Sequence, residues 1–182
     1  MLKRFTTKEL ILIALVSALS VAFAYAFGVL NIITGIPLLA AVNGLFSVIL
    51  ATFLYLTIKK FGTIIIYFLI HGILIIPGPA MGPPGIYKPI VLLIIALVTE
   101  TILIIGERKV RVAIPIAMSL GLVLVPVLTY LIASAMGIPN MEKTLSVLLP
   151  MTLTALVFGL IGGWLGLKLH DKLKNKKIFR QM

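Results

Sequence analysis

The sequence contains no cysteine and only five acidic residues, against sixteen lysines and arginines. The missing cysteines exclude disulfides, thiolate catalysis and cysteine-ligated zinc. Charged residues make up only 12% of the 182 residues, whereas about a quarter is usual in soluble domains. Hydrophobic residues reach 61%. This composition predicts an integral membrane protein without a separate soluble catalytic domain.

The motifs of the common catalytic and nucleotide-binding sites are also missing. The sequence contains no G-x-x-x-x-G-K-[ST] phosphate loop, no H-E-x-x-H zinc motif and no G-x-S-x-G nucleophile motif. Nor does it contain an acidic cluster able to hold a metal ion. We therefore expect no enzyme activity, no metal site and no cofactor.

Six apolar blocks follow one another along the chain, separated by charged residues or by proline and glycine. A membrane-spanning helix needs roughly 20 mostly apolar residues. The blocks therefore predict an all-α fold, a single domain over residues 1–182 in which six transmembrane helices form a bundle. The predicted spans are 9–28, 37–58, 62–76, 88–105, 112–136 and 146–168.

The positive charges are distributed unevenly between the two sides of these spans. Fourteen of the sixteen lysines and arginines fall on one side, and only Lys88 and Lys143 fall on the other. The positive-inside rule then predicts that both termini are cytoplasmic, which requires an even number of spans. The net charge of +11 is thus explained by the orientation of the helices and by contact with the lipid bilayer. Nucleic acid binding is not expected.

The N-terminal residues allow two interpretations. Basic residues before an apolar run imitate a signal peptide, but the run is longer than usual and its removal would break the charge pattern. Thr6 and Glu9 have the spacing of a capping box. We therefore expect the first helix to begin at these residues and to remain in the protein.

Glu100 interrupts the apolar segment IIALVTETILII, residues 94–105. At ~1.5 Å per residue it lies about 15 Å from the outer end of its predicted span and ~9 Å from the inner end. An acidic residue near mid-membrane costs roughly 2.5–3.5 kcal/mol on insertion scales and usually marks a binding site or an ion pathway. The two interpretations are a substrate-binding carboxylate and a protonated side chain hydrogen-bonded to a neighbouring helix.

Further candidate residues lie around the proline- and glycine-rich segment 77–87, PGPAMGPPGIY. Tyr87 and Lys88 are interpreted either as the mouth of a cavity that has Glu100 at its floor, or as an interfacial aromatic residue and a snorkelling lysine. The remaining predicted substrate-binding residues, for which packing or capping is the alternative, are His71, Asn43 and Tyr130.

Small residues recur at intervals of four in the first and the last span, which lets a second helix approach closely. The first span carries a stripe formed by Ala14, Ala18 and Ala22. The last span carries two overlapping pairs, Gly159 with Gly163 and Gly162 with Gly166. The spacing leaves open whether the partner helix belongs to this chain or to another protein.

Together, the first helix TTKELILIALVSALSVAFAYAF, the Gly/Pro segment before a helix with an embedded glutamate, and the ending ALVFGLIGGWLGLKL resemble the S components of energy-coupling factor (ECF) vitamin transporters. Within that family, KELILIALVSALSVAFAY and ALVTETIL look most like the hydroxymethylpyrimidine/thiamine-related type.

The resemblance implies a subunit of the prokaryotic cell membrane that captures a vitamin or vitamin precursor from outside. A transmembrane T component and two ATP-binding cassette ATPases would then drive its release inside. The resemblance also implies that Ala14, Ala18 and Ala22 contact the T component. Two other functions stay open, namely a self-sufficient proton-coupled transporter that uses Glu100, and a structural subunit of a larger membrane complex.

Overall fold

A computed structural model describes residues 4–35, 38–139 and 141–174, and the regular secondary structure of this part of the chain is all helical, without a β-strand. Each predicted span corresponds to one helix, with ends that differ by a few residues. The helices are α1 Thr7–Thr34, α2 Leu38–Ile58, α3 Thr63–Leu74, α4 Tyr87–Ile105, α5 Val110–Ala135 and α6 Glu142–Leu173, with a short 3-10 helix at Glu107–Lys109.

Five of these helices are long and apolar enough to cross a membrane, which makes the chain a multi-pass membrane protein. The exception is α3, which has 12 residues and is therefore about 18 Å long. A typical hydrocarbon core is about 30 Å thick. The sixth crossing and the cytoplasmic position of the termini stay predictions.

The helices form a closed ring in the order α1, α2, α6, α5, α4, α3 and back to α1. Because short connections join neighbouring helices that pack together, successive helices run in opposite directions. The end that carries residues 75–86 is termed the loop end. The other end, which carries the connections 59–62 and 106–109, is termed the basic end.

The predicted capping box at the start of α1 is confirmed. The Thr6 hydroxyl accepts the Glu9 N–H at 3.3 Å, and the Glu9 carboxylate accepts the Thr6 N–H at 2.7 Å. Glu9 also pairs with Lys60, at 2.6 Å between Oε2 and Nζ. The basic connection between α2 and α3 is thus tied to the first turn of α1.

Hydroxyl groups join α1, α2 and α3 in the interior. The Tyr67 hydroxyl lies 2.8 Å from Ser20 Oγ and 3.1 Å from the Ser47 carbonyl oxygen. The two serine hydroxyls are 3.0 Å apart. Ser17 Oγ donates to the Tyr67 carbonyl at 3.3 Å. Each polar atom in this group is paired, so the group fixes the relative positions of the three helices.

One glycine pair of α6 lies against the backbone of α5. A Cβ atom added at Gly159 would lie 2.3 Å from Ser119 Cα, and one added at Gly163 would lie 2.7 Å from Pro115 Cα. No side chain fits at such distances without movement of the main chain. This pair is therefore used for packing inside the protein.

The other glycine pair of α6 lies against α2. A Cβ atom at Gly162 would lie 2.9 Å from a methyl carbon of Val48, and one at Gly166 would lie 2.5 Å from Thr52 Cβ. Helix α6 therefore packs closely between α5 and α2. The partners of both glycine pairs belong to this chain.

Replacing Gly159 by alanine is expected to lower the unfolding temperature more than replacing Gly162. Both changes restrict the unfolded chain equally, but the first forces the main chain at Ser119 to move, whereas the second meets a side-chain methyl of Val48 that can shift. Overpacking of this kind costs about 1–3 kcal/mol. Thermal unfolding of both variants in the same detergent measures the difference, and equal unfolding temperatures would contradict the packing described here.

Candidate functional site

Helix α3 is short, and its ends lie inside the protein. Thr63 and Ile64 at its start and Ile75 just after its end are fully buried. The first N–H groups and the last C=O groups of a helix have no partner within that helix, and buried groups of this kind need one. The neighbouring helix α4 supplies a charged partner at each end.

Glu100 lies at the start of α3 and is 1% exposed, so it faces the bundle interior. Its Oε1 accepts the Gly62 N–H at 2.8 Å, and its Oε2 accepts the N–H groups of Ile64 and Ile65 at 3.1 and 3.2 Å. A negative charge is favourable at a helix N-terminus. Glu100 therefore hydrogen-bonds to a neighbouring helix, as in the second of the two interpretations given for it. That interpretation had a protonated side chain, whereas here both oxygens accept N–H groups, as in an ionised carboxylate. Contact of Glu100 with a ligand stays a prediction.

Lys88 lies at the other end of α3 and is 0% exposed. Its Nζ donates to the carbonyl oxygen of Ile75 at 3.2 Å and to that of Gly78. The interpretation of Lys88 as a snorkelling lysine is therefore wrong, because the ammonium group turns into the protein. It bonds to carbonyls that follow α3, where a positive charge complements the helix dipole.

Tyr87 is also fully buried, so it is not the interfacial aromatic residue that was the alternative interpretation. Its hydroxyl lies 2.7 Å from the carbonyl oxygen of Met81 and 2.8 Å from that of Pro83. Tyr87 and Lys88 together hold the segment 75–86 against the loop end of the bundle. Contact of either residue with a ligand stays a prediction.

The spacing of the two charged residues matches the length of α3. Lys88 and Glu100 are twelve residues apart on α4, which corresponds to about 18 Å along that helix. Helix α3 also has 12 residues. Helix α4 therefore places one compensating charge at each end of its neighbour.

A cavity of about 20 Å³ lies between α2, α3, α4 and α5. It has room for about one water molecule. Ser47 and Thr99 contribute polar atoms to its wall, and the rest of the wall is apolar. The Thr99 hydroxyl is buried and has no hydrogen-bond partner in the described part of the chain. Gly121 allows this close approach, since a Cβ there would lie 2.5 Å from Thr99 Oγ1.

Four more buried polar atoms lack a partner among the described residues. One of them, Thr52 Oγ1, lies in the half of α2 nearer the basic end. The other three belong to the loop-end half of the bundle and are Asn43 Oδ1, His71 Nδ1 and Thr129 Oγ1. Each of these three residues lies three or four positions away from a cavity residue of the same helix, on the side nearer the loop end. This separation corresponds to roughly 4.5–6 Å along the helix. The cavity residues concerned are Ser47, Phe68 and Val125. Three helices thus carry an unpaired polar atom about one turn from the cavity.

Pro126 adds a backbone acceptor beside the cavity. It lies inside α5 and is buried. Because proline has no N–H, the carbonyl oxygen of Leu122, four residues earlier, loses its helical donor. Leu122 lines the cavity. The candidate site thus combines hydroxyl, amide, imidazole and carbonyl groups, and the described residues contain no group of three or more potential metal ligands.

The structure separates the predicted site residues into two sets. His71 and Asn43 lie near the cavity, with unpaired atoms. Tyr130 is half-buried and packs against the hydrophobic core, turned about 100° around α5 from Thr129. Thr99 and Thr129 were not among the predicted substrate-binding residues, because a helical threonine commonly bonds back to its own helix, as Thr101 does to the Leu97 carbonyl.

The alanine stripe of α1 lies on the outside of the bundle. Ala14, Ala18 and Ala22 are exposed, whereas Ile13 and Ser17 of the same helix are buried. No helix in the described part of the chain covers the three alanines. Unlike the glycine pairs of α6, the stripe is therefore not used for packing within the described part.

Replacing Glu100 by glutamine is expected to lower the free energy of unfolding by about 1.5–3 kcal/mol, the range for hydrogen bonds to charged groups. One acceptor oxygen becomes an NH₂ group that faces backbone donors. Hydrogen exchange at the amides of Gly62, Ile64 and Ile65 should become faster. Glu107→Gln, at an exposed residue, is the control. Unchanged exchange at the three amides would contradict the capping role.

Replacing Lys88 by methionine is expected to loosen the segment 75–86 while the helices remain folded. The variant keeps most of the apolar stem but leaves the carbonyls of Ile75 and Gly78 without this donor. Each buried polar group that loses its partner costs about 1–3 kcal/mol. Limited proteolysis should cut within the segment sooner than in the wild type. Lys172→Met, at an exposed residue of α6, should show no change, and equal cleavage in the two variants would count against the role of Lys88.

Comparison with known proteins gave no match. No protein-family model, no curated protein and no solved structure matches this chain.

Proposed function

We propose that the chain is the substrate-binding subunit, or S component, of an ECF-type ABC importer in a prokaryotic cell membrane. It captures a vitamin or vitamin precursor from outside and releases it inside with a T component and two ATP-binding cassette ATPases. In this proposal the basic end faces the cytoplasm with both termini, and α3 forms a shortened sixth crossing. The loop end is then the side from which substrate enters.

The observation that carries the proposal is the uncovered alanine stripe of α1. Small residues let a second helix approach closely in a membrane, and the α6 glycines use this property inside the bundle. Ala14, Ala18 and Ala22 offer the same property to an outside helix, because they are exposed. A membrane-embedded partner of the T-component type suits such a surface.

The unpaired polar atoms near the cavity support a ligand inside the bundle. Buried polar atoms without partners are unfavourable in the absence of a ligand, and polar residues inside a membrane bundle commonly serve function. A ligand larger than water requires the helices to separate at the loop end. Lys88 and Tyr87, which hold the segment 75–86 there, act in this proposal as positioning residues.

A structural subunit of a larger membrane complex is the second candidate function. It is favoured by the contacts of Glu100, which are made with the backbone of this chain. The position of Glu100 weighs against a proton-coupled carrier, because its side chain is 1% exposed and bonds to the start of α3. Such a carrier would need this carboxylate to be free for proton exchange.

Assembly with the importer partners tests the proposal through Ala18. A tagged full-length chain, purified from membranes of its source cell, should retain a second integral membrane protein and ATP-binding cassette ATPases, identified by mass spectrometry. Ala18→Trp should abolish this retention because the indole prevents close helix contact. Leu153→Trp, at a residue of α6 that is 58% exposed, is the matched control and should assemble normally.

Two results would contradict the importer proposal. Retention of other membrane proteins without any ATPase, again lost in Ala18→Trp, would indicate the structural subunit. Solute uptake into liposomes by the purified chain alone would indicate a self-sufficient carrier.

A further inference from the structure

The two charged side chains that are buried in the described part of the chain both have hydrogen-bond partners within the protein. The only lysine and the only acidic residue among its buried side chains are Lys88 and Glu100. Each bonds to backbone groups at one end of α3, and neither lines the cavity. A ligand in the cavity therefore meets no free ion of either sign from these residues.

The unpaired polar atoms around the cavity belong to groups that hydrogen-bond without a full charge. They come from the amide of Asn43, the imidazole of His71 and the hydroxyls of Thr99 and Thr129. No salt bridge of His71 with a carboxylate is found among the described residues. The carbonyl oxygen of Leu122, which Pro126 deprives of its helical donor, accepts but cannot donate.

We infer that the interior site takes a small uncharged ligand with at least one N–H or O–H donor, an inference that rests on the proposed binding function. Moving an ion into an apolar interior is strongly unfavourable unless an opposite charge meets it, and no such charge is free here. A donor on the ligand can pair the Leu122 carbonyl and the Asn43 amide oxygen. Ligand groups that accept can pair the threonine hydroxyls.

The rest of the wall favours a ligand with an apolar face. Phe68 and Met118 lie at the cavity together with aliphatic side chains. Aromatic rings and thioethers make favourable contacts with rings. An uncharged ligand that combines an apolar face with hydrogen-bonding groups matches these residues.

Binding from charge-sorted pools of small molecules tests the inference. Metabolites of a cell extract are separated by ion exchange at pH 7 into cationic, anionic and uncharged pools. Each pool is dialysed to equilibrium against the full-length chain in detergent, and the retained compounds are quantified by mass spectrometry. We expect retention from the uncharged pool alone.

A matched pair of threonine variants on α4 tests the site. Thr99→Val should reduce retention about tenfold, which corresponds to the loss of one hydrogen bond at the upper end of the usual range. Thr101→Val should leave retention unchanged, because Thr101 is exposed and bonds to its own helix. Thr99→Val should also unfold at the same or a higher temperature than the wild type, since its hydroxyl has no protein partner to lose. Reduced retention can therefore be separated from poor folding.

Each other outcome overturns a different step. Retention from a charged pool would overturn the inference about charge and leave the binding function in place. Retention of an uncharged compound by Thr99→Val at wild-type level would overturn the location of the site. A folded wild-type chain that retains nothing from any pool would overturn the proposed binding function itself.

Discussion

The contacts between α3 and α4 are the constraint on which the rest of the bundle depends. A helix of 12 residues that begins and ends inside a membrane protein leaves backbone groups without water, and these groups need partners. Glu100 bonds the N–H groups at one end, and Lys88 bonds the carbonyls beyond the other. Because the two residues are separated by the length of α3, one helix places a hydrogen-bonding charged group at each end of its neighbour.

This arrangement explains why two charged residues persist in an apolar chain and why neither is free for other chemistry. Charged groups in such an environment are usually regarded as functional, yet here their hydrogen bonds are made with the backbone. Of the polar atoms that remain unpaired, Thr99 Oγ1 belongs to a residue that lines the small cavity between α2, α3, α4 and α5. Those of Asn43, His71 and Thr129 belong to residues about one helical turn from the cavity residues. The polar groups that a ligand can bond to are thus those that do not already bond to the ends of α3.

The small-residue patterns of α1 and α6 show that one sequence pattern has two structural outcomes. The glycines of α6 lie so close to α5 and α2 that an added Cβ atom would meet a neighbouring atom within 3 Å, so they hold the bundle together. The alanines of α1 have the same spacing but lie on its outer surface. Spacing establishes that residues share a stripe, and only the arrangement of neighbouring helices decides what the stripe contacts.

The sequence by itself determined the features that depend on local order: the six helical segments, the capping box of Thr6 and Glu9, and the shared stripes of α1 and α6. Hydropathy and helical periodicity act over a few residues, so they can be read without the fold. The tertiary structure alone decided the partners of Glu100 and Lys88, the unpaired atoms of Thr99 and Thr129, and the exposure of the alanines. These features depend on which helices become neighbours, and a lysine with an apolar stem fits a membrane surface as well as it fits a buried position beside two carbonyls.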